Sequence, residues 1–529
     1  MKRFKKYISL AILTLAFSCQ DASEIVQDGE LNSDLTIASV ADMQKFLNGT
    51  YGRIMSVNSL STGIGNGSSE IGVSSLLTDE VGIGKVGNAN DELYRFKIFT
   101  SNSRIQNIWA NYNGVINYAN RLLEGAKFVT PQNAAEVIEY RNIIAQAKAL
   151  RAFSHFQLMV YFSSDLKNNN ALGTILLNRT PKIDEKFLRS TNGELFAFIE
   201  EDLDYAFNNI QPITTGTKPW SYVSKSMINA FRARMYAYRG NYTLAEQYAD
   251  WVISNSGLTL VDGTVIPTGV VGSTDWNTVF YGASTPNDYR KMWADLNRGE
   301  VIWALARQNT PSIQGISGFY NTNASNIGGA VLFDMGRKTF NLLNNNWDIR
   351  RYTNIDPTSV IAKNYDSVSD YKNNDVLVID KYPGIPGAGL VNDIKVFRLS
   401  EIYLIKAECL ANKGNLNGAD NSVAAILKQI RDKRSYAGAR PLPVYANETE
   451  SWADILLERR LELCFEGHRY IDIKRLGRKA NLTIDRDPLD CDTYSLNECS
   501  MSVTDSRFTL PIPINELNAN PNIQQNSGY

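Results

Sequence analysis

The sequence predicts a mainly α-helical fold with paired helices and long irregular segments between them. Apolar residues recur at steps of three and four in several segments, including 105–126 and 141–162, and this is the period of an amphipathic helix. Stretches rich in Gly, Asn, Ser and Thr separate these segments. Loops of such length inside a compact domain are often functional. They cover about 57–100, 255–298, 308–395 and 480–507.

Two segments predict a helix, a tight turn and a second helix. In 225–253 the turn is the Arg-Gly-Asn sequence at 239–241, and alanines recur on both sides of it. In 397–430 a Gly-Asn turn at Gly414 takes the matching place. Small residues let two antiparallel helices approach closely, and the repeated arrangement resembles tetratricopeptide units. We therefore expect tetratricopeptide-like helix pairs as the scaffold.

The N-terminus predicts export and a lipid anchor. Four basic residues precede a nearly uncharged stretch from Tyr7 to Phe17, which is shorter than the roughly 20 residues that a membrane span needs but suits a secretory signal. Cys19 follows small residues, so the segment resembles a bacterial lipobox; a plain signal peptide with a chance cysteine is the alternative. We expect a lipoprotein signal peptide over 1–18, a lipidated Cys19 with a flexible stalk over 19–35, and a single domain over 36–529.

Composition excludes several classes of function. Lys and Arg total 54 and Asp and Glu total 55, so the chain offers no field for nucleic acid. No second apolar stretch approaches membrane-spanning length. The two histidines, His155 and His468, lack the Cys or carboxylate spacing of a zinc site, and the sequence contains no G-x-S-x-G motif or P-loop. We expect no metal, no cofactor and no catalytic group.

The cysteines beyond Cys19 fall into two kinds. Cys491 and Cys499 lie in the polar segment LDCDTYSLNECSMS, and in an exported protein we expect them to form a local disulfide. Cys409 and Cys464 lie inside helical patterns, where a cysteine behaves as a small buried hydrophobe.

A charged segment near the C-terminus, ERRLELCFEGHRYIDIKRLGR at 458–478, admits two interpretations. Glu462 and Glu466 lie one helical turn apart, near His468, which allows acid–base chemistry. The same density of opposite charges among apolar residues is typical of a buried salt-bridge network, since arginine pairs carboxylates through its planar fork. We favour the structural interpretation, because a charge buried without its partner is costly.

This segment resembles the C-terminal signature of the SusD/RagB family, the surface lipoproteins of Bacteroidetes nutrient-uptake systems. The similarity continues in FRLSEIYLIKAECLANKGN at 397–415, in AQAKALRAFSHFQLMVYF at 145–162 and in IWANYNGVINYANRLL at 108–123. The C-terminal sequence LPIPINELNANPNIQQNSGY at 510–529 is also similar. The acidic residues after Cys19 resemble the family's surface-export signal.

The resemblance implies a SusD-like fold, in which the helix pairs form a scaffold and long irregular loops pack on it. It also implies a binding role without catalysis. Family members are lipid-anchored in the outer membrane, face the extracellular side, and pass a nutrient to a TonB-dependent SusC-like transporter. The nutrient is usually a glycan and in some branches an oligopeptide. We therefore expect an oligosaccharide first, an oligopeptide second and a surface hydrolase a distant third.

The resemblance also places ligands at loops in the first third and the middle of the chain. Aromatic residues there have polar, Gly-rich neighbours, which favours exposure; the alternative is that each one fastens its loop to the scaffold. We expect ligand contacts from Asp79, Tyr94, Phe96, Trp276, Tyr281, Tyr289, Phe319 and Tyr320, with Asn90, Trp293 and Asn321 as further candidates.

Overall fold

The computed structural model describes residues 37–55, 69–182, 184–213, 216, 218–307, 316–320, 331–385, 389, 391–492 and 498–529. Helices dominate this part of the chain and the strands are short, so the predicted mainly α-helical class is confirmed. The signal peptide, Cys19, the stalk and Asn321 lie outside the described residues.

Long helices form the first half of the scaffold. Side-chain caps set their first turns: Asn133 accepts a hydrogen bond from the Glu136 amide, and Thr191 and Glu194 form a reciprocal capping box, satisfying amides that have no partner within the helix. The helices are α1 Val40–Met55, α2 Ser69–Leu76, α3 Ser103–Ala126, α4 Ala134–Phe162, α5 Asn192–Asn209, α6 Lys225–Tyr238 and α7 Tyr242–Asn255.

The second half mixes short and long helices. The regions expected to be irregular contain several helices of four to seven residues, too short for a helical period to show in the sequence. They are α8 Thr274–Phe280, α9 Asp288–Trp293, α10 Ser317–Tyr320, α11 Arg337–Leu343, α12 Arg350–Asn354, α13 Tyr371–Asn374, α14 Leu399–Asn412, α15 Val423–Arg434, α16 Glu448–Leu463, α17 Arg469–Ala480, α18 Pro488–Asp492 and α19 Ile514–Ala519.

The two predicted helix pairs are present. Gly240 turns the chain between α6 and α7 with a φ of 75°, and Gly414 follows α14 with a φ of 77°, conformations that favour glycine. Buried Ala233 and Ala245 lie in the first pair. Helix α14 packs against both α15 and α7 and so joins the two pairs into one layer. The tetratricopeptide-like interpretation is confirmed.

Short antiparallel strands tie distant segments together. Val81 in β1 pairs with Met335 in β3, and Val301 in β2 pairs with Arg398 in β4. Each pairing joins parts of the chain that the sequence separates widely. The strands are β1 Val81–Ile83, β2 Val301–Leu305, β3 Phe333–Met335, β4 Ile394–Arg398, β5 Ile484–Asp485 and β6 Ser500–Met501, with β5 pairing to β6.

A large hydrophobic core runs through the described chain, from Ile37 to Ile523. It takes residues from the helix pairs and from the loops alike. Among the helices of the described residues, none combines the length and the apolar character that crossing a membrane requires.

The charged C-terminal segment is a buried salt-bridge network, as the structural interpretation predicted. Glu462 on α16 lies within 3.1 Å of nitrogen atoms of Arg350, Arg398 and Arg434. Burial opposes ionisation of Glu462, but the arginines outweigh it and hold its pKa well below its usual value. Glu466 extends the network to Lys381 and Arg398. These groups are satisfied by one another and hold the helices together.

Both histidines are buried. His155 is fully buried in α4, with its Nε2 3.2 Å from the Leu177 carbonyl oxygen. Burial lowers the His155 pKa to about 4, and burial beside Arg234 lowers the His468 pKa well below its usual value. Both rings are therefore neutral at pH 7. Within the described ranges, no group of three or more His, Cys, Asp or Glu side chains could hold a metal ion.

The cysteines take the expected places. A disulfide joins Cys491 at the end of α18 to Cys499, with their Cα atoms 5.6 Å apart. Cys409 in α14 and Cys464 directly after α16 are free and buried, as expected for small hydrophobic residues.

Candidate functional site

Most of the loop aromatics that we expected to meet a ligand are buried, and the expectation of their exposure is wrong. Seven of these side chains are each at most 2% exposed. Their loops lie over the helical scaffold, and the aromatic rings fill the space between the two. The buried residues are Tyr94, Phe96, Trp276, Tyr289, Trp293, Phe319 and Tyr320.

The contacts of these rings show how they fasten the loops. The Tyr94 hydroxyl donates to the Asp490 carbonyl oxygen at 3.1 Å. The Trp276 ring stacks on Phe280 with 4.5 Å between ring centroids. The Arg434 guanidinium covers the Tyr289 ring at 4.3 Å, a favourable cation–π contact. These side chains hold tertiary structure and present no surface to a ligand.

Two of the other buried rings belong to a second set of loop contacts. The Tyr320 hydroxyl lies 3.2 Å from the Ser75 hydroxyl, and its ring packs against Phe465. Phe319 stacks on Phe333 of β3. These contacts join the middle of the chain to the first third and to the C-terminal signature.

Asp79 is also a structural residue. It is 3% exposed, and both its oxygens accept hydrogen bonds from Arg469, at 2.9 and 3.0 Å. Arg460 lies 3.4 Å away. Burial opposes ionisation of Asp79, but Arg460 and Arg469 outweigh it and lower its pKa. Asp79 therefore ties the first-third loop to the C-terminal signature. Asn90, by contrast, stays exposed.

Tyr281 differs from the other described aromatic candidates because it is half-buried and lines an open cleft of about 340 Å³. We call this the Tyr281 cleft. It lies between the segment after α8 and the loops on either side of α13. Its lining is Tyr281, Gly282, Ala283, Arg290, Ala294, Leu296, Asp356, Pro357, Asp380, Pro383, Gly384 and Ile385.

Local structure fixes the two side chains on the α8–α9 side of the cleft. Tyr281 directly follows α8, and its hydroxyl lies 2.9 and 3.0 Å from the carbonyl oxygens of Tyr352 and Ile355. Asn287 caps α9 by accepting from the Arg290 amide at 2.8 Å. The hydroxyl contacts hold the Tyr281 ring, and the cap fixes the start of the helix that carries Arg290.

An ion pair crosses the cleft. Arg290 Nη1 lies 2.7 Å from Asp380 Oδ2, and the guanidinium covers the Tyr281 ring at 4.9 Å. Burial raises the pKa of Asp380 to about 7, although Arg290 opposes the rise, and Asp356 adds to it. Asp356 Oδ1 accepts from the Thr358 amide at 2.7 Å. The cleft therefore holds one guanidinium and two carboxylates in a confined space.

This arrangement suits a small polar ligand that also has apolar faces. Leu296, Pro357 and Pro383 provide apolar surface, and Tyr281 provides an aromatic ring. The charged groups provide donors and acceptors for hydroxyl groups. A cleft of this volume lies in the range of small-molecule sites, which combine apolar walls with a few placed polar groups.

Sequence reasoning found Tyr281 but missed Arg290, Asp356 and Asp380. Arg290 stands between the two aromatic candidates Tyr289 and Trp293 and carries no motif of its own. The two aspartates come from loops far along the chain, with no periodic signal around them. Only tertiary structure brings these groups to one cleft.

The protein therefore has a tetratricopeptide-like fold of helix pairs. The loops over these helices form a cleft large enough for a ligand. The family model described as "SusD family" matches residues 387–529. A second family model, described as "Starch-binding associating with outer membrane", matches residues 28–237. The chain belongs to the SusD/RagB family, as the motifs indicated.

Individual relatives agree with this placement. SusD-like protein P2 of Formosa agariphila is 22% identical over 557 aligned positions that span 100% of both chains. Starch-binding protein SusD of Bacteroides thetaiotaomicron is 27% identical over 137 residues, covering 26% of this chain and 22% of that protein.

Solved structures share the fold. A SusD superfamily protein from Bacteroides thetaiotaomicron aligns with a TM-score of 0.70 and 23% identity, covering 92% of this chain and 100% of that one. A laminarin binding SusD-like protein aligns with a TM-score of 0.64 and 19% identity, covering 93% and 100%. At these identities the likeness establishes the architecture.

Proposed function

We propose that this protein is a non-catalytic receptor, lipid-anchored on the outside of the outer membrane, that binds an oligosaccharide in the Tyr281 cleft. It passes the saccharide to a TonB-dependent SusC-like transporter. The observation that carries the proposal is the half-buried Tyr281 ring beside the Arg290–Asp380 ion pair, in a cleft of about 340 Å³ on a SusD-like scaffold.

The chemistry of the cleft supports a saccharide. A sugar ring has apolar C–H faces and a rim of hydroxyl groups, so it matches an aromatic side chain with charged groups close by. The relatives support the same ligand class, because one is named as starch-binding and one as laminarin binding. An oligopeptide is the alternative ligand in the test below.

The two carboxylates of the cleft support binding rather than hydrolysis. Glycoside hydrolysis uses one carboxyl group as an acid and a second as a base or nucleophile. Here Asp380 is held by Arg290, and Asp356 is held by Thr358. Each carboxylate is thus held in place by the protein, and it keeps further lone pairs that can accept hydrogen bonds from a sugar hydroxyl. The anchor and the transporter rest on the N-terminal motif and on family membership.

A substitution that fills the cleft tests the proposal without removing a structural contact. Ala283 is exposed and lines the cleft, whereas Val270 is 77% exposed and lies outside it. We expect Ala283→Trp to weaken oligosaccharide binding by at least about tenfold, the size of effect that marks an energetically important contact. Val270→Trp is the matched control and should bind as the parent does.

Calorimetry against starch, laminarin and peptide oligomers is the measurement. Binding of a neutral oligosaccharide that Ala283→Trp weakens to this extent supports the proposal. Equal binding by both variants contradicts the site, and a preference for peptides contradicts the ligand class. Release of shorter products from any oligomer contradicts the non-catalytic role.

A further inference from the structure

A second groove, separate from the Tyr281 cleft, lies where α17 passes the end of α4. It has a volume of about 560 Å³ and lies between α17, the loop at 164–167 and the loop at 503–509. We call it the basic groove. None of its lining residues belongs to the Tyr281 cleft.

The basic groove has an excess of positive charge. Arg475 is neutralised by Glu408 and Asp472, and Asp505 is neutralised by Arg507. Apart from Asp505, the only carboxylate among the described lining residues is Asp165. Four of the lining cations form no ion pair within the described chain: Lys167, Lys474, Arg478 and Lys479.

Two of these cations are held in place by the scaffold. Lys474 is half-buried and donates to the Ser163 carbonyl oxygen at 2.8 Å, just beyond the end of α4. The Lys479 ammonium lies over the Trp452 ring at 4.2 Å. Lys167 and Arg478 are exposed and have no side-chain partner among the described residues. The groove therefore combines fixed cations at its base with free ones at its edge.

Burial disfavours the charged forms of two of the groove's lysines. Burial lowers the pKa of Lys474 to about 7. Burial and then the charge of Lys167 lower the pKa of Lys479. A bound anion would oppose this effect, since an opposite charge nearby favours the charged form of each lysine.

The rest of the lining resembles a saccharide site more than a site for an inorganic ion. Leu166, Val503 and Phe508 provide apolar surface, and the hydroxyl groups of Thr504 and Ser506 provide hydrogen-bonding partners. The volume greatly exceeds that of one small anion and falls in the range of small-molecule sites. Arginine pairs carboxylate and sulfate groups through two parallel N–H donors, which suits the exposed Arg478.

We propose that the basic groove is a second saccharide site, which binds an acidic sugar unit through its carboxylate or sulfate group. The assignment of the anion to a saccharide rests on the proposed function, whereas the cationic character of the groove does not. A protein that carries both sites would hold an acidic chain at one place and a neutral sugar at another.

A double charge reversal tests this site. Lys167→Glu with Arg478→Glu changes two exposed residues, so the fold should hold, and the melting temperature checks that it does. The matched control reverses two exposed lysines outside the groove, Lys186→Glu with Lys363→Glu. The probes are tetragalacturonate, a sulfated laminarin oligosaccharide and the unsulfated oligosaccharide of the same length.

We expect the groove variant to lose on the order of tenfold or more in affinity for one of the anionic probes, because a paired charge has become a repulsive one. Comparing tetragalacturonate with the sulfated probe identifies whether the groove takes carboxylate or sulfate. The control variant should bind that probe as the parent does. Raising the salt concentration should weaken the same interaction, since exposed charges are screened.

Several outcomes overturn the proposal. Equal binding of both anionic probes by the groove variant and the control excludes the groove as their site. Inorganic phosphate or sulfate that displaces the anionic probe at equal concentration indicates a simple anion site. Tighter binding of an acidic peptide through the same two residues assigns the groove to a protein partner. Ala283→Trp separates the two sites, because it should affect only the unsulfated oligosaccharide.

Discussion

The carboxylate of Glu462 accepts two hydrogen bonds from the guanidinium of Arg434, at 2.9 and 3.0 Å, and neither side chain is exposed to solvent. This bidentate contact joins α15 to α16 at the centre of the charged network. Arginine geometry makes such a pair specific as well as strong. The network as a whole depends on it, because the same carboxylate also neutralises Arg350 and Arg398.

Glu462→Gln should therefore destabilise the protein strongly. The substitution keeps the shape of the side chain but leaves three buried guanidinium groups with one negative charge fewer, at a cost of about 3–5 kcal/mol in unfolding free energy. Denaturant unfolding measures it. The control is Lys45→Ala, which removes a 77% exposed partner of Asp42 and should cost less than about 1 kcal/mol. Similar losses for the two variants would contradict the buried network.

Trp276→Ala should lower stability without acting on ligand binding directly. The indole is 1% exposed and packs against Phe280 and Tyr352, so truncation leaves a cavity that costs about 3–5 kcal/mol. Thermal unfolding measures the loss. Trp276→Phe keeps most of the volume and should bind saccharide as the parent does. A Trp276→Phe protein that melts normally but binds weakly would restore Trp276 to the site.

Asp380 should make stability depend on pH. Its pKa rises from the usual 3.8 to about 7 on folding, so between these values the folded protein holds a proton that the unfolded chain has released. Stability therefore falls as pH rises from about 4 to about 7. We expect Asp380→Asn to lack this part of the dependence. Unfolding free energies of both proteins across that range give the difference, and parallel curves would contradict the raised pKa.

The disulfide between Cys491 and Cys499 should be found in the isolated protein. Mass spectrometry after alkylation without reduction should find both residues unlabelled, and two labelled thiols at these positions would refute the bond. Replacing both by Ser should cost about 2–3 kcal/mol in the chain-entropy model of a short closed loop. Buried Cys409 and Cys464 are the internal control, since they should react only after unfolding.

Cys19 should carry the lipid anchor. Cells grown with a labelled fatty acid should transfer label to the parent protein and not to Cys19→Ala, which should accumulate unprocessed or be released into the periplasm. Cys409→Ala is the control and should be labelled as the parent is. Label that persists in the Cys19→Ala protein would contradict this anchor.

The parts of the fold that could be predicted are those set by neighbours in sequence. The pair at 225–253 shows a helical period, a turn with Gly240 and small residues at matching places, and these act within a few residues of one another. The charged signature was predictable for a similar reason. Its dense opposite charges had no stable alternative to pairing, although the sequence did not identify Arg350, Arg398 and Arg434 as the partners of Glu462.

The candidate site was predicted poorly, because exposure of a loop residue depends on what packs over it. The Tyr94 hydroxyl meets the Asp490 carbonyl oxygen and Arg486 covers its ring at 4.0 Å, contacts that no local pattern announces. A polar, Gly-rich neighbourhood indicates a loop, but it leaves open whether an aromatic ring faces solvent or the scaffold. Tyr281 is half-buried whereas the neighbouring candidates are fully buried. Contacts with residues elsewhere in the chain cause this difference.

The sequence by itself determined the helical class, the paired helices, the family and the positions of the cysteines, since local periodicity and short motifs encode these features. Tertiary structure alone decided which aromatic rings are buried, and it alone brought Arg290 and Asp380 together beside Tyr281. The physical reason is that burial and electrostatic pairing are set by contacts between segments far apart in sequence, and only the folded chain brings those segments within reach of each other.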